Sequence, residues 1–208
     1  MVSLDKEDKG SIYMFEAISA AVLLLTAVIF AQSITAITPL TASTASQNVE
    51  NQQGELGKSF IVTSTKTESL SRTLRYWDTS ENEFHGASAG ATRAYRAELP
   101  ENSFGDDLER YFTDQGIGVR IDLLYLRENS SGEIEQRSVQ YLDNGVPSNH
   151  AHKATTTIEI YGDDPLIDED GNEKSITVED ESEYIFPDID PSSNLHNVVT
   201  VEITVWQI

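Results

Sequence analysis

Residues 8–40 read DKGSIYMFEAISAAVLLLTAVIFAQSITAITPL. An apolar run stands behind a short charged head, with a carboxylate, Glu16, at its leading edge. From Ala17 to Val49 there is no charged residue over 33 positions. Apolar density is highest from Ala17 to Ala31, and Ile34 and Ile37 extend it. A helix over Ser11 to Thr38 would rise about 42 Å at 1.5 Å per residue, more than the ~30 Å of a hydrocarbon core. Pro39 is expected to kink or end that helix. Lys6 and Lys9 precede the run, and no Lys or Arg follows until Lys58. That bias places the head inside and the bulk of the chain outside. A carboxylate at the edge of such a run needs a partner or a watery location, because an ionised acid in hydrocarbon costs a few kcal/mol.

Working outward, the composition frames the rest. The chain has 208 residues, room for one membrane segment and one ordinary domain. Fourteen Lys and Arg against 35 Asp and Glu give a net charge of -21. Only six of the basic residues are Lys. Self-repulsion of that size opposes compaction in dilute salt and is screened at molar salt, where the Debye length is ~3 Å, so the composition suggests a saline medium. Aromatic and β-branched residues recur through the chain, which argues against a disordered acidic tail. No basic patch meets phosphates, so nucleic acid is not expected as a partner. The absence of cysteine excludes disulfides and thiolate metal sites.

Three readings of the first segment stay open. A secretory signal would have a cleavage site near Ile34-Thr35-Ala36. A plain signal anchor accounts for the hydrophobicity but not for Glu16. A leader of residues 1–10 ending in Lys9-Gly10, cut before Ser11, would leave Glu16 in the first turns of the mature helix. The third arrangement resembles the class III signal of type IV pilins and archaeal pilin-like proteins. The stretches ITAITPLTASTASQNVENQQGELG, LRYWD, FHGA, GIGVRIDLLYL, NGVPSNHA and NVVTVEITVWQI are similar to pilin-like membrane proteins of halophilic archaea, over nearly the whole chain. The resemblance implies processing between Gly10 and Ser11 by a prepilin-type peptidase on the cytoplasmic side. It also implies pairing of Glu16 with the terminal amine of a neighbouring subunit. Glu16 is sixth counted from Ser11, whereas type IV pilins usually carry that acid fifth.

Beyond Pro39, the residues Leu56, Phe60, Thr63, Thr67, Leu70, Leu74 and Trp77 recur at spacings of four and three, predicting one helical stripe laid on a sheet. Gly54 and Gly57 make a break near them plausible. Residues 78–101 read as loop. Ser103 is expected to cap a short helix carrying Phe104, Leu108, Tyr111 and Phe112, which Gly116 stops. The period then changes to two. Val119 to Tyr125 and Ile134 to Leu142 form a hairpin around ENSSGE; Thr155 to Ile160, Ile176 to Val178 and Val199 to Val205 add strands. The fold expected is α+β: a transmembrane or long helix over 11–38, a helical stalk over 39–77, and an extracellular head over 78–208. That head has an antiparallel sheet and a short extra helix.

No motif of nucleotide binding, serine hydrolysis or metalloprotease chemistry occurs. We expect no enzyme activity and no cofactor. His150-x-His152 lacks the further ligands a metal centre needs, and both are expected in an exposed loop. The loop from Asp163 to Lys174 lacks calcium-loop register and reads as a hairpin turn. Asn129-Ser130-Ser131 is a possible glycan acceptor. The function expected is a pilin-like subunit, with membrane lipid and like subunits as partners. The alternative is a single-span surface protein whose head binds a partner without polymerising.

Overall fold

In the computed structural model the backbone is described for residues 6–87, 95–96 and 98–208; side chains are described for the same set except 6–12 and 33–50. The chain divides into two compact units, 1–49 and 50–208. Helix α1, Lys6–Lys66, contributes to both. The backbone stays helical through Pro39, Gly54 and Gly57, so Pro39 does not end the helix and no break falls at the glycines. A proline removes one ladder bond, which a 61-residue helix survives.

The two glycines have a packing reason. A Cβ at Gly54 would lie 3.0 Å from His152 Nδ1, and one at Gly57 would lie 3.3 Å from Val205 Cγ2. Missing side chains let the helix backbone approach the sheet closely. The buried face of this part of α1 is Gln53, Gly54, Gly57, Phe60, Ile61 and Ser64. It shares Phe60 with the expected stripe, whose Leu70, Leu74 and Trp77 are also buried, but within α1 it is rotated from it, for Leu56 is only partly buried and Thr63 and Thr67 are exposed. The stripe is also not one helix. Glu68 adopts a left-handed conformation at φ 60°, ending α1 and starting α2, Ser69–Leu74. Trp77 belongs to the next element, strand β1.

Two small hairpins lie outside the main sheet: β1 (Trp77–Asp78) with β2 (Glu83–Phe84), and β7 (Pro165–Ile167) with β8 (Glu173–Thr177). The main sheet contains β3 (Tyr95–Arg96), β4 (Ile117–Glu128), β5 (Ile134–Asp143), β6 (His152–Tyr161) and β9 (Leu195–Gln207). Their order is β3-β5-β4-β9-β6. The sheet is mixed rather than antiparallel, because β3 runs parallel to β5 while the other neighbours are antiparallel. A two-residue strand reached by a long connection carries no local sign of its direction.

Alternation explains the two faces. Val119, Ile121 and Leu123 of β4 pair with Val205, Ile203 and Val201 of β9, and all six are buried. Between them, Arg120, Asp122 and Glu202 point to the opposite face, where Arg120 forks onto Asp122 at 2.9 and 3.0 Å. On that face Trp206 lies over Gly118, directly opposite it, where no side chain would fit. The aromatic core continues through edge-to-face contacts of Trp77 with Phe84 and Tyr184, and of Phe84 with Tyr141, at centroid distances of 5.3, 5.6 and 4.9 Å. Fully burying each such ring contributes roughly 1.5–3 kcal/mol.

Helix α3, Ser103–Tyr111, forms where expected, but its cap is Asn102, not Ser103. The Asn102 Oδ1 accepts from Phe104 N and Gly105 N at 3.1 Å each. Its Nδ2 donates to Thr73 Oγ1 at 2.9 Å, and that hydroxyl also bonds Tyr141 Oη at 2.9 Å. One side chain thus joins α3 to α2 and β5. Phe112 falls just past the helix and is buried, Tyr111 is exposed, and Gly116 turns the chain at φ 67°. Asn102→Ala should therefore lower stability by about 2 kcal/mol, a lost cap plus a lost buried partner. Ser103→Ala should stay within about 0.5 kcal/mol. Urea unfolding of the full chain in mild detergent measures both, and equal effects would contradict this assignment of the cap.

Candidate functional site

Within α1, Tyr13–Gln32 is a candidate membrane span with mean hydropathy 2.2 and none of it buried. Phe15, Leu23 and Phe30 expose 72%, 71% and 68% of their surface. A soluble core helix hides such residues; this one presents them on every side. Its serine and threonine hydroxyls are satisfied within the helix: Ser19 Oγ donates to Phe15 O at 2.8 Å and Thr26 Oγ1 to Val22 O at 2.7 Å. An apolar solvent demands that arrangement, since an unmade hydrogen bond there costs several kcal/mol.

Glu16 lies one turn into this stretch and is exposed. No described side chain pairs with it. Gly10 and Ser11 lie on the α1 backbone, but the side chain of Ser11, with those of Lys6 and Lys9, falls outside the described residues. The expected processing site is therefore not brought together with Glu16 by any described contact.

Asn129 sits in the turn joining β4 and β5. Its Oδ1 accepts from Ser131 N at 2.9 Å and Glu133 N at 3.1 Å, and Gly132 closes the turn at φ 80°. Ser130 and Ser131 are exposed, so the acceptor sequence stands at a hairpin tip.

The histidines separate. His150 lies in the exposed turn before β6. His152 is not an exposed loop residue: it begins β6 and is half-buried against Gly54, its Nε2 lacking a partner among the described residues. His196 is buried, with Nε2 2.8 Å from Phe186 O. His85 packs at a tilt against Tyr76 near Lys174; burial first, then that lysine, pull its pKa down. Among the described residues no three His, Asp or Glu are grouped to hold a metal. The loop Asp163 to Lys174 is largely the β7–β8 hairpin, with Asp168 Oδ1 accepting from Asn172 N at 2.7 Å.

A cleft of about 270 Å³ opens between α2, the residues before α3 and this hairpin. Its polar groups bond one another. Arg72 donates to Gly171 O at 2.6 Å and reaches Glu173 at 3.3 Å; Tyr76 Oη lies 3.2 Å from Glu101 O and 3.1 Å from Glu169 O. The cleft is a clasp holding the hairpin to α2. The buried phenols Tyr95, Tyr141 and Tyr184 are held neutral, their pKa values raised chiefly by desolvation.

Among the described residues the chain has one candidate membrane helix and an α+β domain carrying a mixed sheet. It belongs to a family of unknown function, DUF7288, whose model matches residues 9–205 and so takes in both the helix and the domain. No curated protein and no solved structure matches the chain.

Proposed function

We propose that the chain is a single-pass membrane protein whose α+β head lies outside the membrane and whose helix assembles with like subunits, as a pilin-like component. The role is structural, not enzymatic. The observation that carries this is the unburied apolar surface of Tyr13–Gln32. Glu16 gives the reading its specific form. An acid at the leading edge of that surface is costly unless it meets water or a cation, and a neighbouring subunit's amine at Ser11, freed by a prepilin-type peptidase, supplies one. Lipid covers whatever part of the helix like subunits do not.

Two measurements test this. Peptide mapping of membrane-extracted protein should find Ser11 at the N-terminus; Met1, or a start near residues 36–45, would sink the processing step. Glu16→Gln keeps the shape and removes the charge. It should leave insertion and head folding intact but lower recovery in filaments or neighbour-to-neighbour crosslinks at least several-fold, because the amine loses its ionic partner in a low dielectric. A plain anchor predicts the opposite: no loss, or slightly better insertion.

A further inference from the structure

Among the described residues the main sheet leaves one long edge open. At one end lies β3, Tyr95–Arg96. At the other end, β6 runs ten residues from His152 to Tyr161 and, among the described residues, pairs only with β9. It contains no proline or glycine. Its single irregularity, between Ile160 and Tyr161, falls at its end. Apart from its pairing with β9, no backbone hydrogen bond involves residues 152–160 among the described residues. Such an edge is a template for another strand. Its one guarding lysine, Lys153, reaches Glu202 of β9 at 2.5 Å, yet its side chain stays 61% exposed and its ammonium keeps donors for a second carboxylate.

The sequence of β6, HKATTTIEIY, is complementary to itself when reversed about Thr156. Antiparallel pairing in that register sets Lys153 of each copy opposite Glu159 of the other, twice per pair. Thr155 meets Thr157, Ala154 meets Ile158, and His152 meets Ile160. Every residue faces one of its own side of the sheet, as pairing requires: Lys153, Thr155, Thr157 and Glu159 are exposed, and Ala154, Ile158 and Ile160 are buried. Sliding by two residues either way sets Lys153 against Thr157 or Tyr161 and loses both charge pairs.

We propose that β6 is a homotypic docking edge, through which two copies of this chain join their sheets antiparallel in the register centred on Thr156. The inference stands apart from the helix-mediated assembly proposed above, since it uses a different surface. Opposite charges facing each other across strands stabilise a pair and like charges destabilise it by similar amounts. Reversing one partner at both symmetric positions should therefore weaken docking roughly tenfold.

The absence of cysteine makes a site-specific test direct. Two differently tagged full-length copies, one with Thr155→Cys and one with Thr157→Cys, are mixed in mild detergent and treated with a short bis-maleimide. Crosslinked heterodimer is expected. Adding Glu159→Lys to both copies should cut the yield about tenfold, as should Lys153→Glu in both. Placing Glu159→Lys in one copy and Lys153→Glu in the other should restore it, because each charge again meets its opposite. Circular dichroism confirms that every variant is folded. The proposal is overturned by absence of crosslink in the starting pair. It is equally overturned by a crosslink indifferent to both reversals, as helix-driven association alone would give, or by a mixed pair that fails to recover.

Discussion

Replacing Leu23 and Leu24 with arginine is expected to release the chain from the membrane fraction. Both side chains stand in the middle of Tyr13–Gln32, 71% and 68% exposed. Each arginine at a helix centre costs about 3 kcal/mol on insertion scales, and each lost leucine removes about half a kcal/mol more. Together they exceed about 6 kcal/mol, a shift of more than ten-thousandfold in the insertion equilibrium. Neither can snorkel as a residue near a helix end does. The head should be untouched, since these positions belong to the other compact unit. Carbonate extraction separates the outcomes: wild type stays with the pellet and the double variant moves to the supernatant with its head still folded. A double variant that stays in the pellet would mean that another part of the chain holds the membrane. Glu16→Gln should not alter retention, which separates anchoring from assembly within one helix.

That helix was legible in the sequence because its signal is composition over twenty residues, which no tertiary contact can disguise. Strands β4 and β9 were legible for a similar reason: Val119 to Tyr125 and Val199 to Val205 alternate so regularly that either a half-buried strand forms or the apolar face is wasted. What failed was every feature decided by close approach. A hydrophobicity stripe picked Leu56 and Thr63, while the contact runs along Gly54, Gly57 and Ser64, residues that matter because they are small. Ser103 is as good a capping type as Asn102, and only the geometry of Thr73 and Tyr141 decides between them. The parallel β3 depends on a partner far away in sequence, β5, and the left-handed turn at Glu68 falls on a residue type that does not favour that conformation. The self-complementarity of β6 was present in its ten letters. It acquires meaning only once β6 is known to be an edge.

Close approach also makes the sharpest stability prediction, at Gly105 in the first turn of α3. By helix propensity alone, Gly105→Ala should stabilise the protein by up to about 1 kcal/mol. We expect the reverse. A Cβ there would collide with the carbonyl oxygen of Pro100, a backbone atom that also accepts from Asn102 N at 2.8 Å. A flexible side chain could swing away; this carbonyl cannot without breaking the turn that delivers the Asn102 cap. Moving α3 instead displaces Phe104 and Leu108, which are 2% and 0% exposed, and separates Phe104 from Phe60, now 5.5 Å between centroids. Either route costs several times the propensity gain, and a net loss of roughly 3 kcal/mol is expected, at the upper end for overpacking. Gly116→Ala is the matched control. Its φ of 67° strains any side chain, but nothing lies within 4 Å, so its loss should be only about 1 kcal/mol. Denaturant unfolding of the two variants ranks the effects. If Gly105→Ala is neutral or stabilising, α3 does not rest on Pro100, and the Asn102 link between α3, α2 and β5 loses its geometric basis as well.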